Sequence, residues 1–327
     1  MNKLSLSLAI GDYDHVRDLV SGRVRAEGID LLPTNLPVEE IFYRFTKFRE
    51  WDISEMSFGK YVSFVSQDAG RYVAIPVFPS RVFRQSSFYV RAGERPAGPE
   101  WLAGKRVGVP EWAQTASIYS RGWLAHTVGI ALTDIDWVQA GVNDAGRAEK
   151  VALKLPAGIR LTPVPDRCLD EMLLAGDIDA IMSARPPRGL AEGRIERLFA
   201  SPREVERRYF ESTGIFPIMH VVAMRKEVLD RHPWVAMNLV KAFTEAKERS
   251  IERALDITCS HFPLPWIPDA IEDSRALFGA DPWPYGIEPN RRTLQAFVDF
   301  AHEQGVCHRR VSVDELFPEQ VRSTFKV

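Results

Sequence analysis

The chain has 327 residues, of which 45% are hydrophobic and 26% charged, a composition that supports a sizeable core and excludes disordered, collagen-like and low-complexity architectures. Lys and Arg number 42 against 44 Asp and Glu, a net charge of -2, so no global field attracts nucleic acid or an anionic membrane, and any anion must be met by local cations. At about 150 residues per domain the length points to two domains or lobes.

Residues 4–10 alternate Leu4-Ser5-Leu6-Ser7-Leu8-Ala9-Ile10 and lead into Gly11-Asp12. That is strand periodicity and not the apolar run and cleavage site of a secretory leader, so a cytoplasmic location is expected. No apolar run approaches the ~20 residues of a bilayer span, and no membrane partner is expected. Asp14 is placed to cap a helix over residues 15–19. A short strand at 29–32, a loop with Pro33 and Pro37, a helix carrying Ile41, Phe42 and Phe45, and a strand at 51–53 ending in Glu55-Met56-Ser57 then give a repeating β-α-β pattern. A helix over 58–65 follows. Strands over 72–77 and 87–90 bracket Phe78-Pro79-Ser80-Arg81-Val82-Phe83-Arg84.

Residues 92–100, rich in Gly, Pro and Glu, read as a surface connection into a second unit that opens at Leu102. It continues with a helix over 113–127, a strand over 135–138, an extended region at 158–164, a helix over 169–174, a buried strand over 178–182 and a charged, solvated helix over 204–211. The apolar residues 221–224 return the chain to the first unit. Helical periodicity runs from Pro233 to Leu255, and the aromatic, Pro-rich tail beyond Cys259 carries helices over 292–304 and 313–321. The expected architecture is therefore α/β and two-lobed, with two hinge crossings near 88–92 and 219–224. Lobe 1 takes residues 1–90, lobe 2 takes 91–220, and 221–327 return to lobe 1 with a helical tail. Strand-end loops from both lobes would border a central cleft, where ligands of open α/β sheets bind.

Five strings identify a resemblance. They are Phe78-Pro79-Ser80-Arg81 with Arg84, residues Gly104 to Glu111 (GKRVGVPE), Gly176-Asp177-Ile178-Asp179-Ala180, Ser183-Ala184-Arg185-Pro186-Pro187, and Gly214-Ile215-Phe216-Pro217-Ile218-Met219-His220. Together they resemble the 4,5-dihydroxyphthalate decarboxylase family, from Gly11 to about Lys247. The GKRVGVP and GDIDA types mark the fold, whereas the ARPP and GIFPIMH types mark the decarboxylase-like group. The resemblance implies a type II periplasmic-binding-protein-like fold and the conversion of a small aromatic dicarboxylate, 4,5-dihydroxyphthalate, to protocatechuate and CO2.

Direct loss of CO2 from an aryl carboxylate leaves an aryl anion. The plausible route protonates the carboxylate-bearing ring carbon first, aided by the para hydroxyl, and so needs an acid and a phenol acceptor. An imidazole is the usual side chain for proton transfer near neutral pH and Glu111 ends a strand, so His220 or Glu111 can serve as the acid; a satisfied core imidazole and a helix-start carboxylate are the structural alternatives. Arg81, Arg84 and Arg185 carry guanidinium forks that match carboxylates, although arginines often serve in ion pairs. Asp12 and Glu55 are positioned to accept from catechol hydroxyls, with loop capping as the alternative. Thr115 and Ser117, at a helix start, offer hydroxyls and free N–H groups to a carboxylate, or simply cap the helix.

No cofactor is expected: the chain lacks metal-ligand spacing, although His220, Glu111, Asp12 and Glu55 are conceivable ligands for a divalent metal. Dinucleotide, Walker A, GxSxG and helix-turn-helix motifs are absent. Cys168, Cys259 and Cys307 are expected as buried free thiols. The tail would either cover the cleft or form a homo-oligomer contact. A rival reading is a solute-binding protein for an aromatic carboxylate, disfavoured by the absence of a leader and a lipobox cysteine.

Overall fold

Alternation in the sequence becomes two β-sheets in the computed structural model, which describes residues 3–94 and 96–322. The first sheet is built from β1 (Leu4–Ile10), β2 (Ile29–Asn35), β3 (Ile53–Ser57) and β4 (Tyr72–Ile75), interleaved with α1 (Asp14–Val20), α2 (Val38–Phe48) and α3 (Phe58–Ser66). The chain then crosses to the second sheet. There β5 (Phe88–Arg91) and β6 (Arg106–Val109) precede α4 (Thr115–Trp123), and β7 (Asp136–Gly141) and β8 (Arg160–Cys168) lead to α5 (Leu169–Ala175). β9 (Ala180–Met182), α6 (Arg188–Ala191), β10 (Ile195–Arg197) and α7 (Pro202–Thr213) complete that half. β11 (His220–Arg225) returns to the first sheet, followed by α8 (Lys226–Arg231), α9 (Val235–Leu255), α10 (Ile267–Phe278) and α11 (Arg291–Glu303).

The strand orders are β2-β1-β3-β11-β4 and β10-β5-β9-β6-β7-β8. β1 runs parallel to β2 and β3, while β11 lies antiparallel between β3 and β4. That central place explains why Val221, Val222, Ala223 and Met224 are all buried: a strand covered on both faces reads as a continuous apolar run.

The crossings differ from the expected positions. Phe88–Arg91 already pairs with β9 and β10 in the second sheet, so the outgoing crossing is residues 76–87 and not 88–92. The return crossing ends at Met219 and lies beside it. Val82 N–H donates to Pro217 O at 3.2 Å and Met219 N–H to Ser80 O at 2.8 Å, making the two links a narrow antiparallel ribbon.

Several local expectations are also revised. Asp14 is the first residue of α1 and does not cap it; its carboxylate instead accepts from Ser250 Oγ at 2.6 Å and pairs with Arg253 at 3.1 Å. The strand that ends in Glu55-Met56-Ser57 starts at Ile53 and not at Trp51. The helix expected over 313–321 is two short 3-10 turns, Val313–Leu316 and Glu319–Val321. Cys168 and Cys307 are buried, but Cys259 is exposed. The tail packs between elements of both halves: Phe297 of α11 stacks on Phe58 of α3 at 4.6 Å and lies 4.7 Å from Tyr119 of α4. Among the described residues no helix is long and apolar enough to cross a membrane.

Candidate functional site

A cavity of about 350 Å3 opens between the two sheets, within the ~300–1,000 Å3 typical of small-molecule sites. Its first wall comes from α2, the end of β3, α3 and the start of β11. Its second comes from the loops that follow β6, β7 and β9.

On the first wall His220 opens β11 directly opposite Ser57, which ends β3. Glu55 lies two residues before Ser57 and so shares its face of the sheet, as the diagonal neighbour of the imidazole. The Glu55 Oε1 and His220 Nδ1 atoms are 2.5 Å apart. Glu55 is fully buried and also accepts from Tyr13 Oη at 2.7 Å and from Gly11 N–H at 2.9 Å. Burial pushes its pKa up, but the bond and charge of His220, then the Tyr13 hydroxyl and the Gly11 amide, outweigh it and hold the carboxyl below its usual range. An ionised Glu55 makes Nδ1 the protonated nitrogen and leaves Nε2 for the cavity, which His220 lines and Glu55 does not. Phe42 packs edge-on to the ring at 4.8 Å and limits its rotation. Gly11 is required here: a Cβ would stand 2.8 Å from the Tyr13 ring.

Two cations line the cavity without a carboxylate partner among the described residues. Arg84 is largely buried in the outgoing crossing, and its Nε meets only the Met219 sulfur, at 3.1 Å. Burial pushes its pKa down to about 10. Lys60, in the first turn of α3, donates to Thr46 Oγ1 at 2.9 Å, and its pKa is lowered by burial and then by the charge of Lys150. Beside them the α3 and α4 N-termini meet. Thr115 Oγ1 accepts from Gly59 N–H at 2.9 Å and lies 3.1 Å from Ser57 Oγ. A Cβ at Gly59 would come within 2.8 Å of Ala113 O, so only glycine allows this approach. Thr115 thus joins the two walls, and Ser117 Oγ, also on α4, is buried without a partner.

The second wall is a charged network. Glu111 accepts from Arg147 Nε at 2.6 Å and pairs with Lys150 Nζ at 3.0 Å. Glu149 Oε2 accepts from the Trp112 and Ala113 amides at 2.6 and 3.2 Å. Burial raises its pKa, the Ala113 amide opposes this, and the charge of Glu111 adds to the rise. Arg185 reaches across the mouth to Glu39 of α2 at 3.2 Å, and Arg147 approaches the same carboxylate at 3.7 Å.

Of the residues expected at the site, His220, Glu111, Arg84, Arg185 and Thr115 line this cavity, and Glu55 stands behind it. Three are placed elsewhere, the first being Ser117, which is buried within α4 and does not line the cavity. Asp12 is exposed, because the turn after β1 directs the Gly11 amide, and not the Asp12 carboxylate, at the buried site. Arg81 is buried in the hinge ribbon, where its guanidinium donates to Asn290 Oδ1 and Phe216 O, both at 2.8 Å, and lies over the Phe216 ring at 4.3 Å. Its terminal nitrogens are spent on the tail and the return crossing, while its buried Nε has no partner. Arg81→Ala would strand those buried acceptors, and a stability loss of about 2–5 kcal/mol in urea unfolding is expected; an unchanged midpoint with lost substrate affinity would return Arg81 to the ligand.

Tyr13, Lys60, Arg147, Glu149 and Lys150 are the cavity and support residues that sequence reasoning passes over. Tyr13 directly follows Gly11-Asp12 at the end of the first strand, and its hydroxyl is the signal that could find it. Residues 147–150 have the look of a solvated charged loop. The four conceivable metal ligands do not converge: Glu55 and His220 touch, Glu111 is tied into the opposite wall and Asp12 is exposed. The group of three metal-type side chains found among the described residues is Asp256, Cys259 and His261, in the loop after α9.

No family model matches the chain. It is 37% identical over 330 residues to a 4,5-dihydroxyphthalate decarboxylase of Comamonas testosteroni, with all of both chains covered. Among solved structures it resembles the periplasmic aliphatic sulphonate binding protein SsuA of Escherichia coli (TM-score 0.54, 12% identity, 98% of this chain and 99% of that one). It also resembles a Candida albicans gene product described as having the generic periplasmic binding protein structural fold (TM-score 0.50, 12% identity, 100% and 99% covered). The two-sheet architecture is thus that of type II periplasmic binding proteins, and on full-length similarity the chain belongs to the 4,5-dihydroxyphthalate decarboxylase family.

Proposed function

We propose that this protein is a carboxy-lyase that converts 4,5-dihydroxyphthalate to protocatechuate and CO2. The observation that carries the reading is the pairing, in one cavity, of two uncompensated cations with an imidazole held by a buried carboxylate. The first suits a dicarboxylate and the second suits proton transfer to or from a phenol. The activity for which the Comamonas relative is named supplies the substrate.

Arg84 and Lys60 hold the carboxylate that stays on the ring. A strong clamp on the departing group would stabilise the reactant more than the transition state, whereas a clamp on the retained group does not. His220 Nε2 takes the proton of the hydroxyl para to the departing carboxylate, as Glu55 stabilises the imidazolium that forms. Electron density pushed from that oxygen prepares the carboxylate-bearing carbon for a proton. Once protonated, it breaks its bond to the carboxylate carbon, the bonding pair restores the aromatic ring, and neutral CO2 departs past the apolar surfaces of Phe42, Met219 and Val151. Glu111, held between Arg147 and Lys150, serves as an ion-pair acceptor in this scheme.

The deciding experiment mixes purified, metal-analysed protein with 4,5-dihydroxyphthalate and follows CO2 and protocatechuate. Equimolar, catalytic release of both is expected. Stoichiometric binding without turnover would overturn the lyase reading in favour of a binding protein.

A further inference from the structure

The acceptor of the phenol proton and the donor to the ring carbon act at opposite ends of a benzene ring, and one imidazole cannot reach both. The acid therefore has to come from the wall opposite His220. Two carboxyl groups line that wall. Glu111 Oε1 is engaged by two cations, Arg147 Nε at 2.6 Å and Lys150 Nζ at 3.0 Å, so Glu111 is taken up as their ion-pair partner.

We infer that Glu149 is the acid that protonates the ring carbon losing its carboxylate, an assignment that rests on the decarboxylase reading. Its side chain is fixed in direction: Oε2 accepts the Trp112 and Ala113 amides, and Oε1 accepts the Lys150 amide at 3.0 Å. Protonated on Oε1, the carboxyl keeps a lone pair for Lys150 N–H and has one O–H to donate. The group titrates among Glu111, Arg147, Lys150, Lys60 and the buried Arg121, and burial with the Glu111 charge favours its protonated form.

The step balances without an outside reagent other than water. The Glu149 O–H bond breaks as the ring C–H bond forms, and the ring carbon–carboxylate bond breaks to give CO2 with its electrons returned to the ring. The His220 imidazolium returns its proton to the phenolate oxygen, and Glu149 recovers a proton from solvent.

The test compares wild-type, Glu149→Gln and Glu149→Asp proteins on 4,5-dihydroxyphthalate across pH. Gln keeps an oxygen for the Trp112 and Ala113 amides but has no acid proton. For E149Q, kcat is expected to fall by roughly 10²–10⁴-fold, the range of general acid catalysis. Its affinity for phthalate, a probe with both carboxylates and no hydroxyls, should stay near the wild-type value. The wild-type kcat should decline on the alkaline side, as Glu149 loses its proton, and E149D should recover part of kcat with that limb displaced. An E149Q protein with near-normal kcat, or with an unchanged alkaline limb, overturns the assignment. If wild-type protein releases no CO2, the decarboxylase reading falls and this assignment with it; if wild-type turns over beside an unimpaired E149Q, only the assignment falls.

Discussion

His220→Ala is expected to lower kcat by roughly 10²–10⁴-fold, and Glu55→Gln nearly as far, although Glu55 does not border the cavity. The reasoning is that of a base held by a carboxylate. With Glu55 ionised, Nδ1 carries the proton and Nε2 is free to accept one; the neutral amide of the E55Q protein lacks the charge that fixes this tautomer and steadies the imidazolium. Because the two act as a unit, the double variant should be little worse than either single one, a non-additivity measured by comparing all four proteins. Tyr13→Phe removes one of the donors to Glu55 and should cost less. A fold-only role for Glu55 predicts instead that loss of activity tracks loss of phthalate binding. The same pair gives a signed pH effect. The Glu55 pKa is lower in the folded chain than its usual value, so its contribution to stability is present above the usual carboxylate range and is lost as pH falls through the folded value. Urea midpoints on acidification should decline in wild-type and less steeply in E55Q.

How much of this is legible in the sequence depends on whether a feature is local. The alternation of residues 4–10 specifies β1, and the apolar spacing of Val235, Leu239, Phe243 and Ala246 specifies α9. The strings around Arg84 and His220 contain residues that line the cavity between the sheets. Pairing register is not legible. Glu55 and His220 are 165 positions apart, and only β11 inserting antiparallel beside β3 makes them neighbours. Phe88–Arg91 likewise reads as a strand whichever sheet it joins, which is why the expected crossing falls too late in the chain. Charge runs hide the rest: Arg147, Glu149 and Lys150 have the composition of a solvated loop, and their role depends on the wall they face across the cavity. Arg81 and Arg84 are three residues apart on one extended ribbon, and nothing in their type tells which packs against the tail and which lines the cavity.

That contrast yields the second large effect. Arg84→Met should weaken kcat/KM by the about 2–5 kcal/mol lost when one partner of a buried ion pair is truncated, which at 1.4 kcal/mol per decade is roughly 30- to 4,000-fold. The loss should appear mainly in KM and in the dissociation constant for phthalate, because the retained carboxylate is held alike before and during bond breaking. Lysine at the same position restores charge without the two-pronged geometry and should recover only part of the affinity. The unliganded R84M protein should meanwhile be as stable as wild-type or more so, because a guanidinium whose Nε meets only the Met219 sulfur costs desolvation that no carboxylate offsets until the ligand arrives. Thermal unfolding with and without phthalate checks both halves: ligand should raise the wild-type midpoint strongly and the R84M midpoint little. Arg81, whose terminal nitrogens bond within the chain, should show the reverse pattern, a lower midpoint at every phthalate concentration. If R84M instead destabilises the free protein and leaves phthalate affinity intact, Arg84 is a structural strut and the dicarboxylate must be held by Lys60 and the α3 and α4 N-termini.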